Sequence, residues 1–199
     1  MIRTITRAIT RPITRAIRRA FEKTRYLIDL NGTDAYYAIT TPFAPAGDFR
    51  IGFDVAGVAA SDKKLITFRN TVTGKVLNIG TSNAGSFNTV RVFSTGAGSD
   101  SSITGSAVVL DDDLHSVGLS YTSSNNSISI DVDGVADVAT TVLTSLYDFT
   151  STNLMDIGKA AGGGGYFNGI IANVKFTDLG SQLFSTFTSL DAGSSYVAG

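Results

Sequence analysis

The chain has 199 residues, 43% of them hydrophobic, and it contains no cysteine, which excludes a disulfide framework and a thiolate metal site. Its formal net charge of −1 combines two unlike parts. Residues 1–25 hold eight of the 16 basic residues against one acidic residue, Glu22, whereas the remainder holds eight basic and 16 acidic residues. A segment of charge +7 joined to a body of charge −8 is typical of an attachment arm on an independent domain.

An Ile-Thr-Arg-Ala/Pro tetrad repeats through the basic arm, residues 1–25. In a helix each tetrad advances about 400°, which places isoleucine and arginine on opposite faces, whereas a strand would place both on one face. The pattern therefore predicts a short basic helical arm, firmest from about Pro12 to Lys23 because proline suits a first helical turn. Its candidate partner-docking residues are Ile5, Arg7, Ile9, Arg11, Ile13, Arg15, Ile17 and Arg19.

Other interpretations of the arm stay open. Its composition also fits a solvated tail, a mitochondrial targeting segment or a nucleic-acid contact. Nucleic acid is disfavoured because no aromatic residue is interleaved before Phe21. Docking onto protein partners, or bundling with copies of itself into an oligomer such as a trimer, is the favoured interpretation. No apolar run approaches the 18 or more residues of a membrane-spanning helix, so we expect no membrane insertion.

From Tyr26 onward, short runs of alternating apolar and polar residues are separated by Gly, Asn and Asp, and this pattern predicts strands. Eleven strands without an intervening helix favour an all-β fold, a β-sandwich. The predicted strands are Tyr26 to Leu30, Tyr36 to Ile39, Phe49 to Val55, Lys64 to Asn70, Val76 to Thr81, Thr89 to Ser94, Ala107 to Val109, His115 to Thr122, Ser127 to Val132, Asp156 to Lys159 and Phe167 to Thr177.

Four segments, in this order, resemble a laminin-G-like domain of the concanavalin A-like lectin/glucanase group. They are LIDLNGTDAYYAI, FRIGFDVAG, LHSVGLSYTSSNNSISIDVDGV and LMDIGKAAGGGGYFNGIIANVKFTD. The resemblance covers residues 26–178 and implies a jelly-roll sandwich of two antiparallel sheets. The expected organisation is then an anchoring arm at 1–25, the sandwich at 26–178 and a C-terminal extension at 179–199 that packs on the sandwich as a further strand or an edge cover.

Alternation within the predicted strands indicates which side chains form the core. In the hairpin of residues 115–132, Val117, Leu119 and Tyr121 alternate with small polar residues, as do Ile128, Ile130 and Val132. The same rule places Ile170, Ala172, Val174 and Phe176 together on one face of the closing strand. These positions are expected to stabilise the fold.

We expect no enzymatic activity. Glycan-hydrolysing relatives use closely spaced glutamates, and the chain has no glutamate after residue 25. Asp131 and Asp133 alternate on one strand, but we interpret them as a solvated strand end before a turn. His115, the single histidine, is expected to be a packed or half-exposed strand residue, because no nucleophile converges on it in the sequence.

Two kinds of binding site are compatible with the resemblance. Laminin-G-like domains often bind calcium through aspartates, which makes Asp111 and Asp113 candidate ligands, although a polar loop is the favoured interpretation of the Asp111-Asp112-Asp113 run. No other cofactor is implied. Lectin-like sites stack sugars on aromatic rings and bind hydroxyls with amides. The candidate carbohydrate-binding residues are Tyr36, Tyr37, Tyr166 and Asn168.

Small cysteine-free sandwiches preceded by a basic arm resemble virion proteins of tailed bacteriophages. The leading hypothesis is a non-enzymatic virion structural protein, of the capsid-decoration or fibre type, whose arm docks on other virion proteins while the sandwich faces outward, including toward host-surface glycans. The alternative is a carbohydrate-binding adhesin or lectin module. A glycan hydrolase is the least favoured hypothesis.

Overall fold

The structure is a computed structural model that describes residues 27–39, 45, 47–60, 62–81, 87–95, 100–143, 147–149, 152, 154–160, 164–179, 184–186 and 194–197. The basic arm, with its predicted helix and docking residues, lies outside the described residues. Within the described part the chain is almost entirely extended, and a single 3₁₀ turn, Ser123–Asn125, interrupts the strands. No helix in this part is long and apolar enough to cross a membrane.

The described residues form fourteen strands in two antiparallel sheets. Sheet A has the order β1-β12-β3-β8-β9-β10, with β13 also paired to β12, and sheet B has the order β14-β2-β11-β4-β5-β6-β7. The strands are β1 Leu27–Asn31, β2 Tyr36–Ile39, β3 Phe49–Gly57, β4 Lys64–Arg69, β5 Val76–Thr81, β6 Thr89–Thr95, β7 Asp100–Val108, β8 His115–Thr122, β9 Ser127–Val132, β10 Val135–Val142, β11 Leu154–Ile157, β12 Asn168–Asp178, β13 Phe184–Thr186 and β14 Ser194–Val197.

The predicted all-β sandwich is confirmed, and four strands, β2, β5, β8 and β9, have the predicted bounds. Two regions differ from the prediction. Strand β7 begins at Asp100, well before the predicted Ala107, and β10 was not predicted at all.

The C-terminal region contributes a strand to each sheet. Strand β13 pairs with β12 in sheet A, and β14 pairs with β2 in sheet B.

The core lies between the two sheets and is rich in aromatic rings. The Phe149 ring, in the segment before β11, lies 4.6 Å from the Phe49 ring of sheet A and 5.5 Å from the Phe68 ring of sheet B, measured between centroids. Phe68 also packs edge-on against Phe176 of sheet A at 6.0 Å. These contacts join the sheets through side chains that are at most 4% exposed.

The β8–β9 hairpin is packed as the alternation predicts. All six of its predicted inward side chains are buried in the core: Val117, Leu119, Tyr121, Ile128, Ile130 and Val132. The connections on either side of β9 use residues in the left-handed region, Asn126 at φ 54° and Asp133 at φ 52°, followed by Gly134 at φ 77°. Asparagine, aspartate and glycine tolerate this conformation better than other residues, as the sequence indicated.

A β-bulge in β12 makes one core prediction wrong. Register shifts between Ala172, which pairs with Asp54, and Lys175, which pairs with Gly52, and Asn173 has φ 51°. Because β12 has one extra residue at the bulge, the residues before and after the bulge do not follow one continuous alternation, and side chains that strict alternation places on one face of the sheet lie on opposite faces. Ile171, Val174 and Phe176 therefore join the core cluster, whereas Ile170 and Ala172 are buried outside it.

Candidate functional site

The outer surface of sheet B carries a continuous group of polar and aromatic side chains. Strand pairing places Asp156 of β11 beside Thr67 of β4, Thr67 beside Asn78 of β5, and Asn78 beside Phe93 of β6. All four alternate with core residues and therefore point away from the core. We call this surface the sheet-B face; it comprises Tyr36, Thr67, Arg69, Asn78, Arg91, Phe93, Asp156, Lys159 and Tyr166.

Asp156 is the most buried charged residue of the sheet-B face, with 2% of its surface exposed. Burial raises the pKa of its carboxyl, and the nearby Lys159 and Arg69 oppose that rise only in part. The ammonium of Lys159 lies 3.6 Å from Asp156 Oδ2, too far for a hydrogen bond. Within the described structure, Asp156 Oδ2 and the Nε of Arg69 are both buried without a hydrogen-bond partner.

Aromatic rings flank this carboxylate. Lys159 Nζ lies 3.4 Å from the centroid of the Tyr36 ring, a cation–π contact, and the Tyr36 ring lies 6.4 Å from the Tyr166 ring with an interplanar angle of 54°. Tyr36, Lys159 and Tyr166 are all half-buried. Ring faces and charged groups are therefore presented together in a partly recessed surface.

Thr67 lies in the middle of the row of outward residues formed by Asp156, Thr67, Asn78 and Phe93. Its hydroxyl lies 2.9 Å from Asn78 Oδ1 and 2.9 Å from the carbonyl oxygen of Lys159, which fixes the segment after β11 against β4. A hydroxyl carries one hydrogen, so Thr67 donates to only one of these two oxygens at a time. The row therefore offers an amide group on one side of Thr67 and a carboxylate acceptor on the other.

A shallow depression adjoins this row on the β5–β6 side. It is open to solvent, and its enclosed part has room for about one water molecule. The guanidinium carbon of Arg91 lies 5.2 Å from the centroid of the Phe93 ring, which supports the side chain from one side. Lys64, at the opposite side, forms an ion pair with Asp62. The lining residues are Lys64, Asn78, Gly80, Thr81, Arg91 and Phe93.

The structure divides the predicted carbohydrate-binding residues. Tyr36 and Tyr166 come together on the sheet-B face. Tyr37 is 3% exposed and belongs to the core, because it is the inward neighbour of Tyr36 in β2, so its proposed surface role is wrong. Asn168 is exposed but lies in sheet A, opposite Asn31 of β1.

Of the two predicted calcium ligands, Asp111 has its carboxylate hydrogen-bonded within the protein, and Asp113 contributes its backbone N–H to that carboxylate. Asp111 Oδ1 accepts hydrogen bonds from the Asp113 N–H and from His115 Nε2, each 3.1 Å long. Asp133 Oδ2 lies 2.7 Å from His115 Nδ1, and its Oδ1 accepts the Ser116 N–H at 2.8 Å. Across the described ranges, no group of three or more His, Cys, Asp or Glu residues is arranged to hold a metal ion.

We call Asp111, His115 and Asp133 the His115 cluster. The contacts within this cluster shift the pKa values of all three residues. The hydrogen bond to Asp133 raises the pKa of His115, and the same bond lowers the pKa of Asp133. At Asp111, desolvation raises the pKa, but the hydrogen bonds from Asp113 and His115 together outweigh it and the pKa lies below its ordinary value. The half-exposed histidine predicted from the sequence is thus the centre of an ion-paired cluster.

On the outer surface of sheet A the polar groups pair with one another. The Arg50 guanidinium contacts both oxygens of Asp131, at 3.0 and 2.7 Å, and donates to Ser120 at 2.9 Å. The side chain of Asn173 donates to Asp54. Asp131 and Asp133, the alternating carboxylates of the sequence, therefore have separate partners and do not act as one pair.

Sequence reasoning missed most of the sheet-B face. No role was assigned to these residues, because they are outward positions scattered over three strands and one loop: Asn78 in β5, Arg91 and Phe93 in β6, Asp156 in β11 and Lys159 after β11. The available signal was local: a charged or amide residue alternates with apolar residues in LITFRN, VLNIGT and LMDIGK. Only the strand order brings these positions together.

Comparisons with known proteins identify the fold. A heptameric SAP-like pentraxin from Limulus polyphemus aligns with a TM-score of 0.59 and 10% identity over 77% of this chain and 76% of that one. The CBM40 domain of the Ruminococcus gnavus IT-sialidase, bound to α2,3-sialyllactose, aligns with a TM-score of 0.56 and 13% identity over 74% of this chain and 90% of that one.

Domains LG4-5 of the mouse laminin α1 chain align with a TM-score of 0.56 and 8% identity; they cover 86% of this chain, which spans only 46% of that fragment. No protein-family model matches the chain, and no curated protein matches it significantly. At these identities the similarity concerns architecture alone. The chain is therefore a lectin-like jelly-roll sandwich, with the architecture shared by pentraxin, laminin G and CBM40 domains.

Proposed function

We propose that this protein is a non-enzymatic carbohydrate-binding domain and that the sheet-B face is its binding surface. The observation that carries the proposal is the buried Asp156 carboxylate, which has an oxygen without a hydrogen-bond partner among the described residues and lies beside the Tyr36–Lys159 pair. An unsatisfied buried polar atom costs about 1–3 kcal/mol. A ligand hydroxyl would supply the missing hydrogen bond when the Lys159 ammonium, 3.6 Å from this oxygen, moves aside to admit it.

The chemistry of the face suits a sugar. A pyranose ring has apolar C–H surfaces, which pack on aromatic rings, and hydroxyls that donate and accept hydrogen bonds. Tyr36, Tyr166 and Phe93 supply rings, Asp156 an acceptor, and Asn78 an amide group. The R. gnavus CBM40 domain, which shares the fold, was solved with a bound sialyllactose. That structure supports glycan binding as a use of this architecture.

Binding without hydrolysis is the form of the proposal that the face supports best. Glycosidases place two carboxyl groups roughly 5–9.5 Å apart across the scissile bond. The central row, from Asp156 through Thr67 and Asn78 to Phe93, contains one carboxylate. Its cationic neighbours, Lys159 and Arg69, can orient a sugar but cannot replace the second carboxyl group.

A glycan array followed by titration calorimetry tests this function. We expect the full chain to bind a defined set of glycans, and Tyr36→Ala to weaken binding about five- to tenfold because a ring–sugar contact is worth roughly 1 kcal/mol. Lys175→Ala, at an exposed position on the outer surface of sheet A, is the matched control and should leave affinity unchanged. Absence of binding to every glycan, or equal loss in both variants, would contradict the proposal.

A second candidate rests on the charge of the basic arm. We propose that residues 1–25 attach the protein to acidic partners and to further copies of itself, and that the assembly is a virion of the tailed-bacteriophage kind. The contrast between +7 in the arm and −8 in the remainder supports attachment through the arm. Mass spectrometry of purified virions tests this location, and absence of the protein from the virions would contradict it.

The oligomer has its own test. Ile9→Asp with Ile13→Asp places charges in the arm's isoleucine stripe, whereas Thr10→Asp with Thr14→Asp adds the same charge outside it. Sedimentation should show an oligomer, such as a trimer, for the unaltered chain and the threonine control, and a monomer for the isoleucine variant. A monomeric unaltered chain would contradict self-association.

A further inference from the structure

One end of the outer surface of sheet A is apolar. Ala56 follows the core residue Val55 in β3, and Ile170 precedes the core residue Ile171 in β12, so both face away from the core. The two residues pair with each other across the strands, and each is 3% exposed. This part of sheet A therefore carries apolar side chains on both of its faces.

Two larger apolar side chains are exposed beside this pair. Val58 lies two residues beyond Ala56 and is 58% exposed. Leu114 is 38% exposed, and it lies beside Ala56 because the next residue, His115, pairs with Val55. A group of exposed apolar side chains with a polar rim is typical of an interaction surface. We call Ala56, Val58, Leu114 and Ile170 the sheet-A patch.

Carboxylates border the sheet-A patch. The run of residues 111–113 is on the β8 side, where the exposed Asp113 directly precedes Leu114. Asp29 is on the β1 side, where it pairs with Ile170, and Asp54 lies two residues before the patch in β3. The strands of sheet A, as far as the structure describes them, contain two lysine or arginine residues against five aspartates. The rim of the patch is therefore acidic.

The basic arm has complementary features. Leu114 and Ile170 lie two strand spacings apart, which is about 10 Å. In the predicted helix of the arm, Ile9 and Ile17 are about 12 Å apart along the axis, so the isoleucine stripe spans this width. Arg18 follows Ile17 and lies at the flank of the stripe, from which a long side chain reaches toward the rim. The arm's charge of +7 also attracts it to an acidic surface.

The direction of β1 favours the patch of a second copy. Leu27, the first residue of β1, pairs with Ala172, and Asp29 pairs with Ile170. The strand therefore runs toward the sheet-A patch from Leu27 onward, and a continuation of β1 before Leu27 would lead away from it. An arm that follows this direction meets another molecule more readily than the patch of its own molecule.

We propose that the basic arm of one copy packs its isoleucine stripe on the sheet-A patch of a second copy. This inference rests on the self-association proposed above, and it assigns the surface that receives the arm. Reciprocal exchange of arms closes a dimer, and cyclic exchange closes a ring such as a trimer. Because the patch belongs to sheet A, an assembled copy keeps its sheet-B face open for a glycan.

Sedimentation of full-chain variants tests the surface. Val58→Ser with Leu114→Ser, the patch variant, removes its exposed apolar side chains, and we expect the dissociation constant of the oligomer to rise at least about tenfold. Val72→Ser with Val142→Ser replaces two other exposed valines, 87% and 60% exposed, and should sediment like the unaltered chain. Urea midpoints verify that both variants are folded.

A mixture of two variants determines which surfaces meet. The arm variant, Ile9→Asp with Ile13→Asp, keeps its patch, and the patch variant keeps its arm. We expect these two proteins to bind each other at least about tenfold more tightly than either binds itself, because only the mixed pair joins an intact arm to an intact patch. Fluorescence anisotropy of one labelled variant, titrated with the other, measures this affinity. Equal affinities would overturn the inference.

The outcomes separate this inference from the proposed self-association. If the patch variant forms the same oligomer as the unaltered chain while the arm variant is monomeric, the arms bind one another; self-association then stands and this inference fails. A monomeric unaltered chain would contradict both. Neither result affects the glycan-binding proposal, which Tyr36→Ala tests on the opposite sheet.

Discussion

The outer surfaces of the two sheets are built on the same pleat but differ in how their polar groups are satisfied. On sheet A, Arg50 contacts both oxygens of Asp131 directly above Gly118, where a Cβ would approach those same atoms to 2.3–2.6 Å. On sheet B, Asp156 is buried with an unpartnered oxygen, 3.6 Å from Lys159. Sheet A carries a completed ion pair, and sheet B carries an incomplete one.

This difference indicates where a ligand is expected. The exposed Arg50–Asp131 pair contributes only about 0.2–1 kcal/mol, but all of its groups are paired within the protein. The Asp156 group costs stability as it stands, because desolvation of a carboxylate is repaid only by close and complete partners. Binding sites commonly combine such perturbed carboxyl groups with a recess. The comparison therefore favours sheet B as the functional surface.

The largest expected effect concerns the core that supports both surfaces. Phe68 is fully buried and touches Phe149 and Phe176, so Phe68→Ala leaves a cavity between the sheets. We expect the free energy of unfolding to fall by about 3–5 kcal/mol. Urea denaturation followed by circular dichroism measures it. Val135→Ala, at a side chain 70% exposed on β10, is the control and should change stability by less than about 0.5 kcal/mol.

A loss well below 2 kcal/mol in Phe68→Ala would show that this ring does not couple the sheets. The comparison between the two outer surfaces would then concern two separately supported layers. If the free energy of unfolding falls by about 3–5 kcal/mol while its dependence on urea concentration is unchanged, one cooperative core supports both outer surfaces.

The next prediction concerns two carboxylates, Asp156 of sheet B and Asp131 of sheet A. Replacing each with asparagine should change the stability of the protein in opposite directions. We expect Asp156→Asn to stabilise the protein at pH 7, because it removes a buried charge whose pKa is raised by desolvation. We expect Asp131→Asn to destabilise it by less than about 1 kcal/mol, since Asp131 pairs with the exposed Arg50. Urea midpoints at pH 7 for both variants provide the measurement.

The effect of Asp156→Asn depends on pH. A raised pKa means that ionised Asp156 disfavours the folded state, so its cost begins above the ordinary value of 3.8 and grows until the pH passes the folded pKa. The advantage of Asp156→Asn should therefore disappear toward pH 3. If Asp156→Asn destabilises the protein at pH 7, the carboxylate is better satisfied than its geometry indicates, and the contrast between the sheets fails. Weaker glycan binding by a stabilised Asp156→Asn would be typical of a functional site.

Most of the fold was predictable because central strands carry strong alternation. Strands β8 and β9 have the predicted bounds and inward residues, since one of their faces is fully buried. Strands β7 and β10 are the edges of their sheets, and seven of the eight residues of β10, all except Val138, are polar, alanine or exposed valine. Edge strands need little apolar surface, so their sequences resemble loops. The bulge at Asn173 could not be predicted from the sequence either, because a single residue in the left-handed conformation does not change the periodic pattern of apolar residues.

Less of the candidate site was predictable. Tyr36 and Tyr37 were both assigned to the surface, but neighbours in a strand face opposite sides, and the alternation of β2 alone does not say which tyrosine faces outward. Asp156, Thr67, Asn78 and Phe93 become neighbours only through the order β11-β4-β5-β6. That order depends on which strands pair, a long-range property that local composition does not contain. The missing information was therefore topological.

The smallest expected effect concerns the His115 cluster, whose satisfaction depends on pH. The pKa of His115 is raised by its hydrogen bond to Asp133, so the stabilisation is fully present below the ordinary imidazole value of 6.5 and is lost as the pH rises through the folded pKa. The pKa values of Asp111 and Asp133 are lowered, so their contribution is complete above 3.8 and is lost as the pH falls through their folded pKa values. The cluster should stabilise most between pH 3.8 and 6.5.

His115→Gln isolates this contribution because the chain contains one histidine. We expect the urea midpoint of the unaltered protein to fall from pH 6 to pH 9 relative to that of the variant, and the imidazole resonances of His115 to titrate above pH 6.5. Neutral imidazole has one N–H donor, so deprotonation leaves one of the two carboxylates without its hydrogen bond. Parallel stability profiles for the two proteins would mean that water screens the cluster and that its ion pairs contribute no measurable stability to the fold.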